Sequence, residues 1–256
     1  MNLPIAEAIP NISHFMKEIN SVSQLIELLK SDNSSYTGDL WYRGQGNEKW
    51  VLSPGLLRAH SAPSENSFLT KFKQSAAMLI DRHPKDSFDW MFLMQHYGVP
   101  TRLLDWTESP LTALYFAVSD KLTDDVDAAL WSLKPTELNR IARVELDEIL
   151  SFDDDELKSY SLETLRQNPR NKLTPLATIA TRNNPRIQAQ LGVFTIHHLD
   201  QRPIEDFCTQ SEVIKYRIPK ASKEIIRNEL KLLGISKFTL FPELASIGEI
   251  LNGTFR

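Results

Sequence analysis

The sequence predicts an α+β fold, a mixed sheet flanked by helices, and three observations carry that reading. Segments with apolar residues at helical spacing concentrate in the first half of the chain. Segments with strand character concentrate in the second half, and no regular strand–helix–strand alternation links the two. One domain spanning residues 1–256, with its motifs between about 22 and 251, accounts for a chain that is 41% hydrophobic.

Residues 1–20 read as an irregular lead-in broken by Pro4 and Pro10. Val22, Leu25, Ile26 and Leu29 then recur at helical spacing behind a capping serine, Ser21 or Ser23. A polar loop from Asp32 to Gly38 leads to a strand at Leu40–Arg43, stopped by Gly44 and Gly46, and a second short strand is expected at Trp50–Leu52. Helices follow over Ser67–Arg82 and from Asp86 or Ser87 to Gly98, where Pro100 forbids continuation. Thr101–Trp106 reads as a strand or extended turn, and Ser109-Pro110 starts a helix in which Ala113 and Ala117 allow close backbone packing. Strands are expected at Asp127–Leu133, Gly192–His197, Val213–Ile218 and Phe238–Phe241. Short helical pieces are expected at Pro135–Leu138 and Leu146–Leu150, a loop-rich stretch over Ser151–Asn184, and helices from Ala221 or Ser222 to Gly234 and over Leu244–Leu251.

The bulk numbers narrow the function. A net charge of -4 gives no global reason to expect a nucleic-acid partner. A single cysteine, Cys208, excludes an internal disulfide framework and a multi-cysteine zinc site, and fits a reducing, cytoplasmic setting. No basic start with an apolar run marks a secretory signal, and no apolar stretch is long enough to span a membrane. No metal site is expected: His197 and His198 are adjacent and face opposite sides of a strand, and Asp153–Asp155 lacks the calcium-loop pattern.

Three constellations carry chemistry. In Leu40-Trp-Tyr-Arg-Gly-Gln-Gly, Arg43 ends an apolar strand beside glycines and can hold a phosphate or carboxylate with its forked guanidinium. Equally, it can stack on Trp41 or Tyr42 or pair with an internal carboxylate. The run from Gln95 to Pro110 surrounds a forced chain reversal, so that His96, Arg102, Asp105, Trp106, Thr107 and Ser109 can line one pocket wall. The structural alternative is that Asp105 holds Arg102 or Arg43 while Ser109 merely caps a helix. In Asn184-Pro-Arg-Ile-Gln-Ala-Gln-Leu-Gly-Val-Phe, Gln188 and Gln190 point to one side of an extended chain and can orient a ligand's polar groups, or else form an exposed polar approach to a strand.

Together, Trp41-Tyr-Arg-Gly-Gln, the run from Leu93 to Ala117, Gln190-Leu-Gly-Val-Phe and Gly234–Leu244 resemble the FRG family, named for a Phe/Tyr-Arg-Gly motif that here is Tyr42-Arg43-Gly44. That resemblance implies a bacterial protein of a phage-defence or toxin-like setting. A more distant resemblance is to ADP-ribosyltransferases of the Arg–Ser–Glu type. Their three motifs correspond in order to Tyr42-Arg43-Gly44, to Thr107-Glu108-Ser109 ahead of a helix, and to Gln188-Ala189-Gln190. It implies a split or strongly bent sheet and a cleft for NAD or a similar nucleotide, used for transfer to a protein target or for NAD hydrolysis. Arg43 would anchor the anionic ligand, Thr107 and Ser109 position it, and Gln190 orient the ribose. Gln190 stands where that family places glutamate, so Asp105 or Glu108 would have to supply the negative charge. The other reading is a non-enzymatic sensing module that recognises a phage protein or a small ligand.

Overall fold

The structure, a computed structural model, describes residues 17–58, 64–80, 83–144, 146, 148–180 and 184–254. Most of the expected irregular lead-in lies outside them. Among the described residues seven strands, β1 (Trp41–Gln45), β2 (Leu103–Thr107), β3 (Ala128–Leu133), β4 (Leu150–Ser151), β5 (Leu176–Ile179), β6 (Gly192–Ile196) and β7 (Val213–Ile218), form one open sheet in the order β4-β5-β6-β2-β1-β3-β7. All neighbours pair antiparallel except β4 and β5. The helices are α1 (Val22–Asp32), α2 (Gly55–Arg58), α3 (Glu65–Ala76), α4 (Ser87–His96), α5 (Pro110–Val118), α6 (Pro135–Ile141), α7 (Leu162–Gln167), α8 (Pro185–Ala189), α9 (Lys223–Leu232), α10 (Lys237–Leu240) and α11 (Leu244–Thr254). The fold is α+β. Among the described residues no helix is long and apolar enough to cross a membrane.

Local chemistry explains the helix starts. Ser21, Asp86 and Ser109 each accept a hydrogen bond from a backbone N–H in the first turn, and Pro110 follows Ser109 at the first helical position. The chain leaves α4 through Gly98 at φ 74°, a left-handed conformation that a side chain resists.

Five expectations are corrected. β1 runs through Gly44 to Gln45 instead of stopping at the glycine. Trp50–Leu52 is a loop, not a strand. Leu150 begins a strand instead of ending a helix; residues 145 and 147 of that expected helix lie outside the description. The stretch Ser151–Asn184 holds a 3-10 turn, α7 and β5, although residues 181–183 are not described. Phe238–Phe241 falls on helix α10, where Ser236 and Thr239 form a capping box that overrides the strand-like apolar run.

The period of two along the strands sorts side chains onto the faces. Tyr42, Ala128 and Leu130 join α1, α5 and α9 in one core, while Trp41, Ala129, Trp131 and Leu133 join Leu104, Trp106 and Leu138 in a second. α4 closes a third core over Leu103, Leu176, Phe194 and Ile196. Gly44 shares the α5 face with Tyr42, and a Cβ placed on it would stand 1.8 Å from the Ala113 carbonyl oxygen and 2.6 Å from the Ala117 nitrogen. Glycine is required because two backbones touch.

A buried ion pair ties α3 to β2. Arg102 Nε donates to Glu65 Oε2 at 2.6 Å, and both side chains are nearly sealed from solvent. Its two Nη atoms donate to the carbonyls of His197 and Tyr160 at 2.6 and 2.8 Å. Every face of this guanidinium is spent on the fold, so its expected role at a ligand is corrected to a structural one. His197 is wholly buried, and burial pushes its imidazole down to about 4.

Three outcomes follow. Gly44→Ala removes the folded state or costs at least ~4 kcal/mol in urea unfolding, since neither backbone can yield. Arg102→Met strands the Glu65 carboxylate and lowers stability by about 3–5 kcal/mol in the same assay. His197 binds a proton in the unfolded chain below its ordinary 6.5 but in the folded one only near 4, so its share of stability is whole above pH 6.5 and drains as pH falls towards 4. That share is about 3 kcal/mol. His197→Leu, unable to take up a proton, should flatten this part of the curve of melting temperature against pH.

Candidate functional site

β1 and β2 pair at a single position, Tyr42 with Thr107, whereas β2 and β6 stay in register from Leu103 to Ile196 through Thr107 and Gly192. Beyond that one pair the central strands part. Arg43 follows Tyr42 directly, and its Nη1 donates to the Asp105 carbonyl at 2.5 Å, bridging the parted strands with a side chain in place of a ladder bond. A cleft of about 420 Å³ opens here, lined by both strands and by residues from α2, α4, α5 and α8.

Arg43 is the central cation. It is half-buried, and its Nε is sealed off with no acceptor. Burial, only partly offset by Asp105 and aggravated by Arg58, pushes its guanidinium down to about 10, so it stays charged at neutral pH but lacks a close counter-ion. Arg58, exposed at the end of α2, has no hydrogen bond or ion pair among the described residues.

Asp105 faces the cleft from β2 and is held there by a relay. Thr101 Oγ1 donates to Gln95 Oε1 at 2.6 Å, and Gln95 Nε2 donates to Asp105 Oδ2 at 2.8 Å. Thr101 is fully buried, which fixes the Gln95 amide and aims the Asp105 carboxylate. Of the structural alternatives for Asp105, Arg102 is paired with Glu65 instead, whereas Arg43 is held by the Asp105 carbonyl and not by an ion pair with its carboxylate among the described residues.

The third segment enters through Thr107, whose hydroxyl donates to the Gln190 carbonyl at 2.6 Å and accepts from the Ser109 N–H at 3.0 Å. Gln190 ends α8, and Leu191 makes the turn into β6 at φ 47°, which is uncommon for a residue with a branched side chain. The Gln190 Nε2 donates to the Leu240 carbonyl of α10 at 3.0 Å. Phe241, just beyond, lies under the Arg186 guanidinium at 4.8 Å and edge-on to Phe116 at 6.0 Å. Burial first, and then Arg186, hold His96 below its ordinary value, so it is neutral at pH 7.

Of the residues singled out by sequence, Tyr42, Arg43, Gly44, His96, Asp105, Trp106, Thr107 and Gln190 line this cleft. Arg102, Ser109 and Gln188 do not: Arg102 is consumed by Glu65, Ser109 caps α5, and Gln188 is exposed. Gln188 and Gln190 were expected two apart on an extended chain, but Pro185 at the first helical position starts a short helix that turns them apart. The sequence reading missed Trp50, Arg58, Gln95, Phe116 and Arg186 as cleft residues. Gln95 stood inside the polar run already singled out, and its amide was the available signal. Arg186 likewise stood inside the run from Asn184 already singled out, whereas Trp50, Arg58 and Phe116 reach the cleft only through tertiary packing.

Chemically, the cleft offers arginines for anionic groups, aromatic side chains at Trp50, Phe92 and Phe116 for a planar ring, and carboxylates at Asp105 and Asp120 for hydroxyls or a developing cation. No group of three or more His, Cys, Asp or Glu among the described residues is placed to hold a metal ion.

Comparison with known proteins gives one finding. No curated protein and no solved structure matches the chain. The span from 38 to 126 runs from the approach to β1 to the turn before β3 and supplies most of the cleft lining, leaving out Arg186, Ile187, Gln190, Gly192 and Phe194. These residues, which include Arg43, Gly44 and Asp105, match the family model of the FRG domain.

Proposed function

We propose that the cleft binds an NAD-type nucleotide and cleaves its nicotinamide–ribose bond, in the manner of an ADP-ribosyltransferase or NAD glycohydrolase of bacterial defence. The observation that carries this reading is the convergence of Arg43, Asp105 and Gln190, from three separate chain segments, on the one cleft where β1 and β2 part. A half-buried arginine without a close counter-ion favours an anionic ligand, and the pyrophosphate supplies one. Trp50, about half exposed, offers a stacking face for the base.

In this reading nicotinamide leaves with the electron pair of the C–N bond, and positive charge develops on the ribose. Asp105, aimed by Gln95, faces that charge. Water or a hydroxyl acceptor then adds to the sugar carbon and gives up its proton. Gln190 contributes an amide already engaged by the Leu240 carbonyl, and therefore orientation without charge.

That engaged amide also favours a second reading, in which the domain binds a nucleotide as a sensor without turning it over. One experiment separates the two. Purified protein is titrated with NAD and with ADP-ribose, melting temperature and heat are recorded, and nicotinamide release is followed. Binding with release is expected; binding without release selects the sensor. Arg43→Ala should abolish binding of both ligands. Asp105→Asn should keep NAD affinity within about threefold and lower release by about 10²-fold or more. Absence of saturable binding by either nucleotide at millimolar concentration would remove the nucleotide reading altogether.

A further inference from the structure

The cleft holds two separate cationic poles, and only one is needed for a pyrophosphate. Arg58, at the end of α2, stands close enough for its charge to be felt at Arg43 on β1. Arg186 belongs to the other side. It lies on α8, which leads into β6, and its neighbours are His96, Asn184 and Phe241. In the sheet order β2 stands between β1, which carries Arg43, and β6, which α8 leads into, so the two poles reach the cleft from opposite sides of β2.

Arg186 is a cation in reserve. Its Nη1 reaches the His96 carbonyl only at 3.5 Å, and its guanidinium rests on the Phe241 ring at 4.8 Å. It forms no ion pair with a carboxylate among the described residues, and Glu243, whose charge is felt at His96, does not pair with it. The ring beneath holds the guanidinium in place while leaving its N–H donors for a ligand. Arginines that serve only the fold look different here: Arg102 is saturated by Glu65 and two carbonyls, and Arg217 by Glu18 and Asp127.

We infer that Arg186 forms a second phosphate subsite, so that the cleft prefers a dinucleotide carrying an extra phosphate on a ribose, of the NADP class, over its unphosphorylated counterpart. This rests on the nucleotide reading of the cleft and adds its specificity. Arg43 and Arg58 take the pyrophosphate, and Arg186 takes the additional phosphate that branches from the adjoining ribose. A phosphate needs a forked, persistently charged donor, which Arg186 supplies and the neutral His96 beside it does not.

The test is calorimetric titration of the full chain with NAD and NADP, for the wild type, Arg186→Gln and Arg186→Lys. Wild type is expected to bind NADP at least tenfold more tightly than NAD. Arg186→Gln should bring that ratio to about one while leaving the NAD dissociation constant within twofold. Arg186→Lys, which keeps the charge and the stem, should retain part of the preference and guards against a folding defect in the glutamine variant. Wild type that binds NAD as tightly as NADP overturns the subsite while leaving the nucleotide reading in place. So does an Arg186→Gln variant that loses both ligands equally, because Arg186 would then belong to the common site. Failure of both nucleotides to bind wild type overturns both readings.

Discussion

At Gly44 the central strand and helix α5 meet backbone to backbone, with Ala113 and Ala117 facing a residue that has no side chain. The arrangement of the cleft depends on that approach. It seats α5 directly on β1, which brings Phe116 to one side of the opening and places Ser109, the cap of α5, at the end of β2. A methyl group at residue 44 would push helix and strand apart, and both the α5 core and the cleft wall would move with them. The glycine of the Tyr42-Arg43-Gly44 motif is thus a packing residue, and the arginine before it is the one turned to the opening.

The second constraint is the parting of β1 from β2. An open sheet gains a hydrogen bond at each register step, so a pair of central neighbours that stays in register at one position forgoes ladder bonds. Arg43 satisfies the Asp105 carbonyl in their place. The carbonyl, the guanidinium and the Asp105 carboxylate are thereby gathered at one spot, and the Thr101–Gln95 relay orients the carboxylate from behind. A cation without a close counter-ion and a carboxylate held by a neutral amide together form a polarised opening. Fold stability alone would have been better served by pairing them.

Around that opening the molecule closes its polar accounts locally. Glu65 and Arg102 neutralise each other deep in the α3–β2 junction, and the buried Lys223 ammonium donates to the carbonyls of Gly46 and Thr123. Thr107 and Gln190 spend a hydroxyl and an amide fixing the α8 turn and α10 against the end of β2. These bonds make the far wall of the cleft dependent on α8 and α10, outside the matched span 38–126.

Much of the architecture was legible in the residues. Caps and proline starts announced α1, α4 and α5, short apolar runs of strand character announced β1, β3, β6 and β7, and the alanines of α5 announced its close packing. Local signals misled where they competed: the apolar Phe238–Phe241 run lost to a capping box, and Pro185 made a helix of what read as a strand approach. Likewise Arg43, Asp105 and Gln190 were legible as residues with chemistry to offer, because polar groups beside strand ends and glycines stand out. That Arg102 is spent on Glu65, that Arg58, Trp50 and Phe116 join the opening, and that Asp105 is aimed by Gln95 were decided only by tertiary structure. The physical reason is range. Caps, turns and periodicity act within a few residues, whereas the partner of a charge is chosen by whichever group packing brings within about 3 Å, at any distance along the chain.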